Sequence, residues 1–187
     1  MNVKLKTIAA LLTGEFFRLH FGADGLSNRG RTMNMTKSGL VAGTTSTYTT
    51  TVATKCTIRG KWATDLAIQT NTATPTTDAR TSAAFTALGD NQCTVIVLGV
   101  NAAGAIQACQ GSIEDTEVGV TTTAGAFIKR PQFPALPDDF CPLGYNVVRT
   151  APSAAAWTFG TSSWTATGIT MTNFIEVTEL PDRPQQA

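Results

Sequence analysis

The stretch "CTVIVLGVNAAGAIQAC" (93–109) constrains this chain more than any other. Two runs of apolar and β-branched residues flank "NAAG" (101–104), where Gly104 supplies the left-handed φ of a tight reversal, so the stretch reads as a β-hairpin. Its register follows from the turn. Pairing Asn101 with Gly104, or with Ala105 around a glycine bulge, sets Cys93 opposite Ser112 or Ile113 and Cys109 opposite Ile96 or Val97. The two sulfurs then stand several residues apart, beyond disulfide reach. For Cys56, Cys93, Cys109 and Cys141 the expectation is buried free thiols packing as small hydrophobes, as in a protein made and kept in the cytoplasm.

The strand code extends on both sides. Tyr48, Thr50, Val52, Thr54, Cys56 and Ile58 alternate with outward Thr, Ala and Lys, a period-two strand that runs past Gly60 toward Trp62 and Ile68. "QTNTATPTTDARTS" (69–82) is a polar loop stiffened by Pro75, "SAAFTALGDN" (82–91) has room for one helical turn, and "SIEDTEVGVTTTAGAF" (112–127) reads as a short strand or loop. Pro131, Pro134 and Pro137 fix φ and donate nothing to a ladder, so "RPQFPALPDDF" (130–140) predicts a stiff, extended crossing over the surface. "LGYNVVRT" (143–150), "WTFGTSSW" (157–164) and "ITMTNFIEV" (169–177) are the closing strands, and "ELPDRPQQA" (179–187) an exposed end.

Short strands with turn signals every ten or so residues predict a mainly β chain, a β-sandwich or jelly-roll-like domain, with an N-terminal arm or short helix. The expected division is 1–43 for arm, helix and connector, 44–180 for the β-sandwich domain, and 181–187 for the tail. A chain of 187 residues suits one such domain. Leu5, Ile8, Ala9, Leu12, Phe16 and Leu19 recur at helical spacing, so residues 4–20 read either as a short amphipathic helix or as an extended arm with a hydrophobic plug. "DGLSNRGRTMNMTKSGLVAG" (24–43) has no sustained period and reads as a connector. Lys4 and Lys6 before "TIAALLTG" imitate a signal peptide, but Glu15, Arg18 and His20 follow at once, no A-x-A-like cleavage site closes the run, and it is too short to span a bilayer.

Charged residues make up only 14% of the chain against roughly 25% in an average soluble protein, and runs such as "TTSTYTTTVATKCT" (44–57) keep the surface polar through Thr hydroxyls. Such composition is common in secreted adhesins, pilins and virion proteins. The net charge of +1 gives no broad field for phosphates, which argues against dedicated nucleic-acid binding. Arg29, Arg31 and Lys37 form the one basic cluster, suited to pinning an arm onto an acidic partner.

No catalytic pattern emerges, and the expectation is a non-enzyme with no cofactor and no metal. The single histidine, His20, lies beside Phe21 in the N-terminal segment, and no G-x-S-x-G, P-loop or G-x-G-x-x-G occurs. Glu114, Asp115 and Glu117, or Asp138 and Asp139, supply carboxylates for a cation or a glycosidase pair, but both groups read better as solvated turns. No C-x-x-C knuckle is present. Trp62, Trp157, Phe159 and Trp164 suit either a sugar-stacking platform or, more economically, core and subunit-interface packing.

The run "PQFPALPDDFCPLGYNVVRTAPSAAAWTFGTSSWTATGITMTNFIEV" (131–177) resembles a pattern in tailed-phage virion proteins: a P-x-L-P lead-in, "PLG", a strand, an apolar segment with "FGT", and a Gly-Thr strand near the end. "CTVIVLGVNAAGAIQACQGSIED" and "TNTATPTTDARTSAAFTAL" are similar to the same proteins, and "LSNRGRTMNMTKSGLVAG" more distantly so. The family that the chain resembles is that of head decoration (cement) proteins, small β-sandwiches on the outside of phage capsids. The resemblance spans roughly residues 45–180 and implies a structural protein that bridges major capsid protein subunits, with no nucleic acid or membrane partner. It further implies homotrimers on the capsid surface, made in the host cytoplasm. The expected contacts are Leu12, Phe16, Phe17, Arg29, Arg31 and Lys37. The alternative is a tail-fibre or tail-tip protein that binds a host surface glycan through Trp62, Trp157 or Trp164. A third, an exported pilin-like subunit, requires cleavage near Ala23 and disulfides.

Overall fold

The computed structural model describes residues 31–181 and residue 184. These residues form a mainly β fold: β1 (Met33–Asn34), β2 (Val41–Ala42), β3 (Thr47–Thr49), β4 (Cys56–Ile58), β5 (Lys61–Trp62), β6 (Thr72–Ala73), β7 (Gln92–Val100), β8 (Ile106–Gln110), β9 (Glu114–Asp115), β10 (Cys141–Thr150), β11 (Ile169–Met171) and β12 (Ile175–Glu176). They make three sheets. The largest runs β11-β10-β7-β8, with β12 also on β10 and β9 also on β7; the smaller two run β1-β4-β5 and β2-β3-β6. The helix or arm expected over residues 4–20 lies outside the described residues, as do residues 182, 183 and 185–187 of the tail.

The long antiparallel pair β7–β10 is the centre of the molecule. Both strands are buried almost throughout, which explains why "CTVIVLGV" reads as a continuous apolar run and not as an alternation. Ile96, Leu98, Val100 and Val148 belong to one packed cluster with Leu88, Trp157, Phe159, Trp164 and Phe174. Val95, Val97, Tyr145 and Val147 belong to a second, with Cys109 and Phe140. Each fully buried aliphatic side chain contributes about 1.5–3 kcal/mol of burial free energy, so the two clusters anchor everything around them.

The proline-rich crossing makes no ladder strand, as its prolines predict, but it is laid into the body instead of over the surface. Pro131 and Pro134 are buried, Phe133 and Leu136 lie against the second cluster, and Phe133 meets Tyr145 edge-on with ring centroids 4.9 Å apart. The polar loop before β7 is fixed by one buried carboxylate. Asp78 Oδ1 accepts from the amides of Arg80 and Thr81, and its Oδ2 accepts from the amide of Gln110 at 2.8 Å. The Gln110 side chain accepts from the Thr86 amide and donates to the Thr86 carbonyl, which pins the next segment to β8. A buried charge with three donors is a satisfied one.

Five expectations change in detail. The alternation from Tyr48 to Ile58 has the right inward parity except at Val52, but it is two strands in two sheets: the amides of Thr51 and Val52 both donate to the Ser38 carbonyl, which bends the chain between them. The helical turn expected within 82–91 is extended chain, held by the bridges Thr77–Ala84 and Leu88–Trp157. "WTFGTSSW" is not a strand: Trp157 makes that one bridge, and the chain then turns at Gly160. "ITMTNFIEV" splits into β11 and β12, both on β10. The described part of the connector, 31–43, is laid into the body, with Leu40 in the core and the Asn34 amide donating to the Thr178 carbonyl.

The hairpin register is legible to within one residue. Asn101 donates to the Ala105 carbonyl, Gly104 has φ +78°, and Cys109 stands opposite Val97. Cys93 stands opposite Glu114 instead of Ser112 or Ile113, because the ladder slips by one residue where β8 gives way to β9.

Candidate functional site: a groove beside Trp62

Ile58 and Lys61 are paired across a two-residue turn, Arg59–Gly60, whose φ angles of +52° and +74° give the reversal that suits strand twist. The turn leaves Trp62 67% exposed, with its ring beside the loop that carries Asp138 and Asp139. That loop is itself a turn: the Phe140 amide donates to the Pro137 carbonyl, and buried Phe140 anchors it while both carboxylates face outward. Arg59 forms an ion pair with Asp138 between the two turns.

The result is an open groove of about 330 Å³ lined by Ile58, Arg59, Lys61, Trp62, Ala63, Ala102, Asp138 and Asp139. A second groove of about 380 Å³ shares Arg59 and Asp138 and continues over Thr32, Leu136, Phe140, Glu179 and Leu180. An exposed indole flanked by two carboxylates, a guanidinium and an ammonium offers a flat apolar face with donors and acceptors at its rim. That combination suits stacking and hydrogen bonding to a polar ligand. The Arg59–Asp138 pair is highly exposed on both sides, so it orients the rim more than it stabilises the fold.

The groove unites features that were separate in the sequence, Trp62 and the Asp138–Asp139 turn, and adds Arg59 and Lys61. Those two stay hidden in an alternation that predicts one strand continuous through Gly60, where the structure has a hairpin. The "RG" pair between two paired residues was the available signal for a hairpin.

Trp157 and Trp164 stand elsewhere, and as sugar-platform candidates they are corrected: they are 1% and 3% exposed. Their rings pack at 5.7 Å, with Phe159 and Phe174 against Trp164, and their indole nitrogens donate to the Ser163 and Thr47 carbonyls. Buried rings with satisfied donors are core. Of the proposed contact residues, Arg31 is exposed and lies 3.6 Å from Glu179 in an ion pair. Lys37 is exposed at a third groove, with Met35, Glu176 and Thr178. Leu12, Phe16, Phe17, Arg29 and His20 lie outside the described residues.

Glu114, Asp115 and Glu117 do not converge on a cation site, and no group of three or more His, Cys, Asp or Glu able to hold a metal occurs among the described residues. The Lys129 ammonium 3.0 Å away, helped by the Ser112 hydroxyl, holds the Glu114 carboxyl below its ordinary range. The four cysteines are buried and free. Burial pushes the Cys93 thiol up to about 11 and the Cys109 thiol up to about 12, which leaves both protonated and unreactive at neutral pH. Among the described residues no helix is long and apolar enough to cross a membrane.

No protein-family model, no curated protein and no solved structure matches the chain.

Proposed function

We propose that the chain is a structural virion protein that binds the outside of a tailed-phage capsid and stabilises the shell by bridging major capsid protein subunits, as a homotrimer. The observation that carries this reading is a loop, 116–128, folded back on itself through the Thr116–Phe127 bridge and the Glu117 to Ala126 hydrogen bond. It holds Val118, Val120 and Ile128 at 79%, 77% and 68% exposure. Three large aliphatics on one tethered loop suit a protein that works by contact. The loop is held at its base by Arg149, which donates to the Gly125 carbonyl at 2.8 Å and stacks over the Phe127 ring at 4.9 Å. The apolar residues Leu12, Phe16 and Phe17 and the bases Arg29, Arg31 and Lys37 supply a second contact, and two weak contacts on one chain raise avidity.

The test is occupancy on purified capsids by co-sedimentation. A Val118→Ser/Val120→Ser/Ile128→Ser variant and a chain lacking residues 1–30 should each bind less while remaining folded. Full occupancy by both would overturn the reading.

A second reading, a tail-fibre or tail-tip protein that binds a host surface glycan, is favoured by the Trp62 groove. Host polysaccharide should then shield Trp62 fluorescence from a soluble quencher, and Trp62→Ala should remove the effect. No shielding across a broad polysaccharide panel would count against it.

A further inference from the structure

Arg149 is the one cation among the described residues that is not exposed; every other described lysine and arginine lies in solvent. It stands on β10 opposite Thr170 of β11, and directly opposed residues share a face of the sheet. Val147 lies two residues back on that face, and its amide donates to Thr172 Oγ1 at 3.0 Å, which keeps the Thr172 proton for another acceptor. Phe127, from the loop 116–128, and Asn173 complete the lining of an open groove of about 490 Å³. None of these residues lines the groove beside Trp62.

The guanidinium is clamped but not neutralised. Its Nη1 donates to the Gly125 carbonyl at 2.8 Å, and its carbon lies 4.9 Å from the centre of the Phe127 ring, which together fix its plane. Among the described residues it has no ion pair and no other hydrogen bond, whereas Arg31, Lys55, Arg59 and Lys129 each pair with an acid in solvent. A positive charge drawn partly out of water is costly until an opposite charge reaches it. The rest of its N–H fork is set up for a planar acceptor.

We infer that this groove is a carboxylate-binding site anchored by Arg149, and that its ligand is a hydroxylated carboxylate of the hexuronic acid class. Arg149 takes the carboxylate through its unused N–H groups, and its fixed plane reduces the ordering that binding requires. Charge selects a monoanion. No second lysine or arginine lines the groove, so a phosphate dianion would carry one negative charge without a partner. The hydroxyls of Thr170 and Thr172 and the amide of Asn173 supply donors and acceptors for the hydroxyl groups of such a ligand.

The inference rests on the groove itself and is independent of both the virion reading and the Trp62 groove. The experiment follows the Arg149 Nε–Hε signal of the full-length, nitrogen-15-labelled protein by NMR while sodium glucuronate is added, with sodium chloride holding the ionic strength constant. Glucose and inorganic phosphate are titrated in parallel. The expected result is a saturable shift with glucuronate, no shift with glucose at the same concentration, and weaker binding of phosphate. Arg149→Lys keeps the charge and loses the fork, and should weaken glucuronate binding by about tenfold, read at the backbone amides of Thr170 and Thr172. Thr170→Val keeps the β10–β11 ladder and should weaken it several-fold, a check that does not depend on the loop that Arg149 supports. A shift that fails to saturate, an equal response to glucose, tighter binding of phosphate, or undiminished binding by both variants would overturn it.

Discussion

The indole nitrogen of Trp164 donates to the main-chain carbonyl of Thr47 at 2.8 Å, tying residues 117 apart in sequence and fastening the aromatic cluster to β3. Trp164 also packs on Trp157, Phe159 and Phe174. Trp164→Phe, which removes the bond and part of the ring, should cost about 1–3 kcal/mol, and Trp164→Ala about 3–5 kcal/mol. Urea denaturation reads both, as a lower midpoint at unchanged slope.

Asn146 lies opposite Ile96 in the central ladder, fully buried, and neither atom of its side-chain amide has a hydrogen-bond partner. Leaving such a group unpaired costs about 1–3 kcal/mol. Replacement by Leu, similar in size and apolar, should therefore raise the urea midpoint by a corresponding amount. A lowered midpoint would mean that the amide is satisfied in solution.

Gly99 gives Phe140 its seat. A Cβ at residue 99 would stand 2.4 Å from the Cys141 carbonyl oxygen and 2.4 Å from the Phe140 ring, with backbone on one side and a packed aromatic on the other. Gly99→Ala should destabilise by about 1–3 kcal/mol through overpacking. The damage should also reach the Asp138–Asp139 turn, since Phe140 anchors it, and faster hydrogen exchange at the Phe140 amide would show this.

Stability should fall in alkali. Cys93 and Cys109 rise from an ordinary value of 9.0 to about 11 and about 12, and Tyr48 rises from 10.0 to about 12, all chiefly through burial. Between the unfolded and folded values the unfolded chain has released protons that the folded chain still holds, so raising pH favours unfolding. The contribution is complete below about pH 9 and is lost progressively from there to about pH 12. Urea midpoints measured from pH 7 upward should decline over that window, and Cys109→Ala should flatten the decline.

How far the sequence carried depended on whether a residue's role was local. The β7–β8 hairpin was legible because Asn101 and Gly104 set its register through their own backbone conformations, and Cys109 landed opposite Val97 as the turn requires. The mainly β fold followed from short apolar and β-branched runs with turn signals between them. The break at Thr51 and Val52 was not legible, because it depends on the Ser38 carbonyl, a partner distant in sequence. The aromatics divided for the same reason. Trp157 and Trp164 are inside because their indole donors find main-chain carbonyls, whereas Trp62 is outside because a two-residue turn places it on the rim. Its meeting with Asp138 and Asp139 brings together two stretches that are far apart in sequence, which no local pattern records.

As proposed, this chain works by contact on the outside of a capsid. The most direct test is electron microscopy of phage particles that carry the full-length protein with a gold-binding label at its C-terminus. The account predicts label distributed over the head, with label on the trimer at repeated positions of the shell. Label confined to the tail or its tip, or none on intact particles, would contradict it.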